Sequence, residues 1–264
     1  MSLGYYRALM NQNTGFSPLD LDNQVLFWDF RDASSYSMSG GKVTSLIDLF
    51  GVTASTDFQS TGSATGLDVT GGKLILPANA NQFFLSTESA SYWDFLHDGS
   101  DWSVYFSFLS NQGNSAGVFF SNINFGSIPG LDVFLDNRTS LSRVEQLRYR
   151  VRGTSGNIVN NGLNNSFTNA SLANVAANYD YTNATAGNPL VDIYKDGDTL
   201  TGSINLDSKT ASATSAANAL VFFCSISGGI PAGNSLIQGE LKGLVITQDL
   251  LTTDEIGDLN TYFT

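Results

Sequence analysis

The sequence predicts an all-β fold, a two-sheet antiparallel β-sandwich with a short C-terminal helix. The 264 residues include 18 Phe and 10 Tyr, which favour the packed surfaces of pleated strands. Charged residues make up only 14% of the chain, so its polarity comes from Asn, Ser, Thr and Gly, residue types that suit turns. Short apolar segments, several alternating with polar residues, are separated by such turn sequences, as in a sandwich.

The first elements are an arm and a buried strand. Residues 1–24 carry a break at Gly15–Pro18 and no sustained period, so we expect an N-terminal arm before a domain spanning residues 25–264. Val25–Phe30 is short and wholly apolar apart from one Asp, which predicts a strand buried on both faces. Gly pairs at Ser39–Lys42 and Thr70–Gly72 predict turns between strands, and Val43–Leu49 is the strand predicted after the first turn.

The central and C-terminal segments alternate with period 2 and end in a helical pattern. Trp102–Phe108 places apolar side chains at every second position, which predicts one buried face. Asp196-Gly197 is typical of a two-residue hairpin, and Leu220–Ile226 and Leu241–Ile246 predict further strands. Thr252-x-x-Glu255 has the spacing of a capping box and predicts the helix start. The predicted inward residues of this helix are Ile256, Leu259 and Phe263.

Four stretches occur in an informative order: Leu26–Asp32 followed by Ser39–Val43 and Asp48–Gly51, Asp101–Phe106, Asn174–Asp180 followed by Val191–Gly197, and Gly239–Ile246 with Leu250–Phe263. In this order they resemble the concanavalin-A-like lectin/glucanase superfamily, in the laminin-G-like jelly-roll form found in phage structural proteins. The resemblance implies two antiparallel sheets, one of them curved, with binding loops along one edge or on the concave face. It implies little about function, because one fold hosts many functions.

Charge and composition restrict the partners and the compartment. A net charge of −12 repels phosphate backbones, which argues against nucleic-acid binding. No apolar run has the length of a membrane span, and the N-terminus lacks the pattern of a signal peptide. We therefore expect no membrane partner, synthesis in a host cytoplasm, and location in a virion or, alternatively, in the cytoplasm. Cys224, the sole cysteine, is expected to be a buried small apolar residue.

The sequence argues against catalysis. Glycosidases of the resembled superfamily place two carboxylates on one strand, which suits retaining chemistry. The four glutamates of this chain are too far apart in sequence to share a strand: Glu88, Glu145, Glu240 and Glu255. His97 is the sole histidine, expected at the surface, so the sequence lacks both a multi-histidine zinc site and a triad context.

One candidate carbohydrate site combines aromatic rings with carboxylates. It consists of Tyr92, Trp93, Asp94 and Asp98. Sugar CH faces stack on rings while carboxylate oxygens accept hydroxyl protons. The alternative is that Trp93 and Leu96 pack inward and close one end of the core.

Two acidic segments could hold calcium, although neither has a complete calcium-loop pattern. They are Asp196-Gly197-Asp198 and a predicted loop with Asp132, Asp136 and Asn137. No other cofactor is expected. For Asp196–Asp198 a turn without an ion is the simpler interpretation.

Arginine is concentrated in one region. Five of the seven Arg lie between Arg138 and Arg152, and Arg148, Arg150 and Arg152 share one face of a predicted strand. This face is either solvated, with long side chains covering apolar surface, or a site for an acidic partner. The acidic partner would be a neighbouring copy of the chain or an anionic glycan.

Two functions follow as hypotheses, both non-enzymatic. The first is a virion structural protein, a phage head-decoration or tail-associated component. It would assemble as a homo-oligomer, with a trimer favoured, and would contact other virion proteins through the arm. The second is a stand-alone carbohydrate-binding or adhesion module. A divergent polysaccharide hydrolase or lyase is a weaker third alternative.

Overall fold

A computed structural model describes most of the chain. The described residues are 15–51, 58–60, 66–77, 83–123, 129–153, 156–182, 189–200, 204–205, 216, 219–227, 230–232 and 237–264. The strands are β1 (Gln24–Asp29), β2 (Tyr36–Ser39), β3 (Lys42–Leu46), β4 (Phe58–Ser60), β5 (Asp68–Thr70), β6 (Lys73–Leu76), β7 (Phe84–Ser86), β8 (Trp102–Ser110), β9 (Ala116–Ser121), β10 (Gly130–Asp136), β11 (Gln146–Gly153), β12 (Gly156–Leu163), β13 (Leu172–Tyr179), β14 (Pro189–Lys195), β15 (Asp198–Thr199), β16 (Ile204–Asn205), β17 (Val221–Phe222), β18 (Ser225–Ser227), β19 (Ile230–Ala232) and β20 (Gly239–Thr247). Thr253–Phe263 forms an α-helix, α1, and Pro18–Asp20, Ala33–Ser35, Ala90–Leu96 and Thr139–Leu141 form 3-10 turns.

The strands form two large antiparallel sheets, as the sequence predicts. The first has the order β15-β14-β13-β8-β20-β6-β5, with β1 paired to β20 and β16 paired to β14. The second has the order β12-β11-β10-β9-β17-β7-β4-β3-β2, and β18 and β19 form a separate hairpin. The main core lies between the two sheets. It includes the predicted inward residues of β8 and β11, namely Trp102, Val104, Phe106, Phe108, Leu147, Tyr149 and Val151.

Three predicted hairpins are confirmed by backbone conformation. Gly40 and Gly41 join β2 to β3, and Gly71 and Gly72 join β5 to β6, all four with positive φ. Asp196 (φ 53°) and Gly197 (φ 95°) join β14 to β15. Positive φ at both central positions is the conformation of the two-residue turn that matches strand twist.

Strand β8 is buried on both faces, whereas the sequence predicts one buried face. Tyr105 points away from the main core and packs with Phe27, Val245 and Phe263 in a second apolar cluster. Helix α1 supplies Ile256, Leu259 and Phe263 to this cluster, as its spacing predicts. The outer face of the first sheet is therefore covered, and the fold has a third layer.

Helix α1 is capped at its start and bonded to the first sheet at its end. The predicted capping box is present, since Thr252 accepts from the Glu255 amide and the Glu255 carboxylate accepts from the Thr252 amide. At the other end, the Tyr262 hydroxyl donates to Asp29 Oδ2 at 2.9 Å. Arg31 Nη2 donates to the same oxygen at 2.8 Å, and its guanidinium lies 4.7 Å from the Tyr262 ring centroid. The opening strand and the closing helix are thus held together.

Residues 15–24, the described part of the predicted arm, pack on the same layer. Leu21 is buried in the cluster beneath α1, and Phe16 and Leu19 pack against it. The Ser17 hydroxyl accepts from the Leu19 amide at 3.2 Å and caps the Pro18–Asp20 turn. Residues 1–14 lie outside the described residues.

Two predicted strand boundaries are wrong. The apolar run Leu220–Ile226 is not one strand, because β17 ends at Phe222 and Phe223 adopts a positive φ of 69°. The predicted continuation of β3 to Leu49 ends at Leu46, and Asp48 then accepts from the Phe27 and Phe50 amides. The burial of Cys224 is confirmed, and it raises the pKa of this thiol to about 12. Among the described residues, no helix is long and apolar enough to cross a membrane.

Candidate functional site

The arginine-rich segment builds the outer face of β9, β10 and β11 in the second sheet. In β10, Leu131, Val133 and Leu135 point into the core, so Asp132, Phe134 and Asp136 point outward. The register places Asp132 opposite Arg150 and Phe134 opposite Arg148. We call the outward residues of these strands, with Arg138 and Arg143 of the following loop, the arginine face.

Asp132 anchors one end of the arginine face. Arg150 donates to Asp132 Oδ2 from Nε at 2.7 Å and also from Nη2. On the other side, the Ser121 hydroxyl of β9 donates to Asp132 Oδ1. Burial raises the pKa of this carboxyl, and the attraction of Arg150 opposes the rise without cancelling it.

Asp136 anchors the other end and binds a cluster of arginines. Arg138 donates to both oxygens, at 2.8 and 2.7 Å, and Arg143 Nη1 donates to Oδ2 at 2.7 Å. Arg148 Nη1 lies 3.5 Å from the same oxygen. Burial would raise the pKa of Asp136, but the hydrogen bonds from Arg138 and Arg143 lower it to about 2. The carboxylate is therefore ionised at any physiological pH.

An apolar stretch lies between the two anchors. The Phe134 ring is half-buried, and the Arg148 guanidinium lies 5.2 Å from its centroid, within cation–π range. Arg148 packs closely on Gly162 of β12, where a Cβ would lie 2.5 Å from its Cγ. Phe134 and Val118 line a depression of about 200 Å³ that Arg138 and Arg150 also border.

The arginine face carries net positive charge on an acidic chain. Its five arginines and two aspartates give a net of three positive charges, whereas the whole chain carries −12. Arg138 has 39% of its side chain exposed, Arg143 26% and Arg150 22%. Arg148 is not solvated, since only 7% of this residue is exposed, and it covers Phe134. The sequence predicts that the arginines of β11 share a face. It does not predict that Asp132 and Asp136 of β10 lie on the same face.

The four residues of the predicted carbohydrate site do not form an exposed platform. Trp93 is completely buried, and its indole Nε1 donates to the Ser86 hydroxyl at 3.0 Å. Trp93 cannot stack on an external sugar, and the alternative interpretation, that it and Leu96 close the core, is correct. Tyr92 packs edge-on against Trp93, with ring centroids 5.0 Å apart.

The two acidic residues of that set, Asp94 and Asp98, contact residues two or three positions away in the chain. Asp98 Oδ1 accepts from the Ser100 amide at 2.8 Å. Asp94 Oδ1 lies 3.7 Å from His97 Nε2. The expectation that His97 is a surface residue is wrong, because it is fully buried at the end of the Ala90–Leu96 turn.

The predicted calcium segments have other structural roles. Asp196 closes the β14–β15 hairpin, and its Oδ1 accepts from the Asn174 amide at 2.9 Å. The loop predicted around Asp132 and Asp136 is wrong, because both lie in β10 and bind arginines. Asn137 follows the strand and accepts from the Glu145 amide at 3.0 Å. Within the described ranges, no group of three or more His, Cys, Asp or Glu is placed to hold a metal ion.

No protein-family model matches the chain, and no curated protein matches its sequence. Solved structures match its shape. A Trypanosoma rangeli sialidase in complex with sialic acid superimposes with a TM-score of 0.55 at 12% identity, over 92% of this chain and 33% of that one. The receptor binding domain of botulinum neurotoxin D gives 0.54 at 10% identity, over 93% and 53%. The Ruminococcus gnavus IT-sialidase CBM40 gives 0.50 at 10% identity, over 78% and 100%.

The chain has a β-sandwich fold. Identities this low show a shared fold and nothing about a shared site. The finer assignment to the concanavalin-A-like superfamily, and the phage context that came with it, stay predictions.

In this β-sandwich the four glutamates lie on separate segments of the chain. Glu240 in β20 pairs with Lys73 at 2.7 Å, and Glu255 caps α1. Glu145 precedes β11 and accepts from the Asn169 amide at 2.7 Å. Glu88 lies between β7 and the Ala90–Leu96 turn. No two of them share a strand, although the absence of enzymatic activity stays a prediction.

Proposed function

We propose that this chain is a non-enzymatic binding domain that recognises acidic glycans through the arginine face. The observation that carries the proposal is a net-positive, partly apolar surface on a chain whose total charge is −12. Guanidinium groups bind carboxylates and sulfates with paired hydrogen bonds, and aromatic rings contact the CH faces of sugars. Both chemistries occur together at Arg138, Phe134 and Arg150.

The fold is compatible with this function. One protein with a similar fold is a sialidase in complex with sialic acid, an acidic sugar, and another is a CBM40 module. At 10–12% identity these likenesses extend only to the fold, so the choice of the arginine face rests on its own charges and contacts.

A glycan array tests the proposal. We expect the chain to bind acidic glycans and not their neutral counterparts, with the same result in calcium and in a chelator. Raising the salt concentration from about 0.1 M to about 1 M should weaken binding, since it shortens the screening length from about 10 Å to about 3 Å. The double variant Arg138→Gln, Arg150→Gln should lose binding.

The matched control is Lys42→Gln, which removes a positive charge from β3, away from the arginine face. This lysine and its partner Asp68 are both 45% exposed, so the variant should fold and bind normally. Absence of acidic-glycan binding by the wild-type chain would refute the proposal.

The charge distribution favours one second function, self-assembly as a structural component such as a virion protein. The arginine face is complementary to the acidic remainder of a neighbouring copy, and such complementarity steers association. Native mass spectrometry distinguishes the two functions. A stable trimer or hexamer that dissociates at high salt supports assembly, whereas a monomer at all salt concentrations supports the glycan-binding domain.

A further inference from the structure

We propose that the ligand of the arginine face is an oligosaccharide with two anionic groups, one on each side of a neutral sugar ring. The inference rests on the proposed function and adds to it the number and spacing of the ligand's charges. It follows from how Asp132, Phe134 and Asp136 divide the face into two charged ends and an apolar centre.

Each end of the face keeps positive charge after its own aspartate is counted. At the Asp132 end, Arg150 pairs with the aspartate and the charge of Arg152 also acts on it, which leaves one positive charge. At the Asp136 end, three arginines share one carboxylate, which leaves two positive charges. The two anchors are four positions apart in β10, which is about 13 Å at a strand rise of about 3.3 Å per residue.

At the Asp136 end, Arg138 keeps a donor for a ligand. A guanidinium has five N–H groups. Arg138 donates to Asp136 from Nε and Nη2, and its Nη1 group donates to no described residue. Because Asp136 fixes the orientation of this fork, little rotamer freedom remains to be lost when a carboxylate or sulfate binds.

The centre of the face is apolar. Phe134 and Val118 are cross-strand neighbours, and both line the depression between the two ends. Arg148 beside Phe134 is only 7% exposed and lies 3.5 Å from Asp136, so it offers a carboxylate at the centre little compensation for desolvation. A neutral sugar ring can instead place its CH face on the Phe134 ring. The favoured order along the ligand is therefore anionic, neutral, anionic.

The size of the depression indicates an extended ligand. Its volume of about 200 Å³ is below the roughly 300–1,000 Å³ typical of pockets that enclose a small molecule. Arg138 and Arg150 both border it, so a bound chain would pass over the depression and continue beyond both ends. This geometry suits an internal stretch of an acidic polysaccharide better than a single terminal sugar.

Calorimetric titration of the full chain with defined oligosaccharides tests the inference. The probes are a tetrasaccharide of alternating uronate and neutral residues, its sulfated form, and the disaccharide that carries a single uronate. The tetrasaccharides should bind at least about tenfold more tightly than the disaccharide, because a second charge-assisted hydrogen bond is worth at least that factor. The sulfated form shows whether sulfate can replace carboxylate.

Variants locate the second charge. Arg150→Gln should reduce tetrasaccharide affinity to that of the disaccharide and leave disaccharide binding nearly unchanged, since the Asp136 end remains. Lys42→Gln should change neither affinity. Equal wild-type affinity for disaccharide and tetrasaccharide would overturn the inference and leave the proposed function standing, whereas binding of neither would overturn both. The wild-type comparison decides even if a variant fails to fold.

Discussion

At the scale of single residues, Asp132 and Asp136 determine what the arginine face can do. Without them, five arginines on adjacent positions would repel one another and their long side chains would be mobile in solvent. With them, Arg138, Arg143, Arg148 and Arg150 are held by short hydrogen bonds or close ion pairs. The aspartates lower the net charge but fix the direction of the remaining donors.

The first prediction concerns Asp136. Asp136→Asn should lower the free energy of unfolding at pH 7 by about 2 kcal/mol, the value implied by a pKa depressed from about 4 to about 2. The pKa of this carboxyl is lowered in the folded state, so its contribution is complete above about pH 4 and is lost as pH falls towards 2. The difference between wild type and variant in urea unfolding should therefore shrink over that interval.

Asp68→Asn is the matched control for Asp136→Asn. Asp68 pairs with Lys42 at 2.7 Å, but both side chains are 45% exposed. An exposed pair contributes at most about 1 kcal/mol, so this variant should be close to wild type. Equal destabilisation by the two variants would contradict the view that burial gives Asp136 its larger role.

The sequence predicted the arginines of the candidate site but not the aspartates that bind them. The period of two in a strand is a local property, so Arg148, Arg150 and Arg152 could be placed on one face from their spacing alone. The pairing of Asp132 with Arg150 depends on the register of two strands, which is set by the whole sheet. Burial of Trp93 likewise depends on which end of the core its turn closes.

At the scale of elements, the third layer explains where sequence patterns fell short. Strand β8 alternates apolar and polar residues, which predicts one buried face, but α1 and residues 15–21 bury the other face too. Tyr105 can be buried at a position where the pattern predicts a polar, exposed residue, because its hydroxyl donates to Asn260 of α1 at 3.1 Å. The capping box and the inward spacing of α1 are local patterns, and both were predictable.

The second prediction concerns the fit of α1 on β20. A Cβ at Gly243 would lie 2.1 Å from Cε1 of Phe263 and 2.8 Å from the carbonyl oxygen of Trp28. Gly243→Ala must therefore displace the helix, and overpacking of this kind costs about 1–3 kcal/mol. Thermal unfolding followed by circular dichroism measures the loss.

Gly257→Ala provides a control of opposite sign within α1. A Cβ at Gly257 meets no atom within 4 Å, and alanine in a helix interior is favoured over glycine by up to about 1 kcal/mol. This variant should be as stable as the wild type or more so. A Gly243→Ala variant with wild-type stability would show that α1 does not pack on β20 as closely as described.

At the scale of the whole molecule, the ends of the described chain meet in one layer. Residues 15–24 and α1 lie together on the outer face of the first sheet, while the arginine face lies on the outer face of the second. The outer surface of the first sheet is thus covered by the two ends of the described chain. On the outer surface of the second sheet, strands β9 to β11 carry the charged residues of the arginine face. This division places the layer that closes the fold and the face available to a partner on opposite sides of the sandwich.

The third prediction uses that division to separate folding from assembly. Deleting residues 1–24 removes the buried Leu21 and the contacts of Phe16 and Leu19, whereas deleting residues 1–14 leaves them in place. The longer deletion should be less stable than the shorter one by about 3 kcal/mol, the value of one buried and two partly buried apolar side chains. Urea unfolding of the two truncated chains measures the difference.

Only the shorter deletion therefore tests whether the N-terminal segment drives assembly. If residues 1–14 contact neighbouring copies, the chain lacking them should lose its oligomers in native mass spectrometry. If oligomers persist in that chain, assembly uses another surface, and the Arg138→Gln, Arg150→Gln variant then shows whether it is the arginine face. Equal stability of the two truncated chains would instead contradict the packing of residues 15–24 beneath α1.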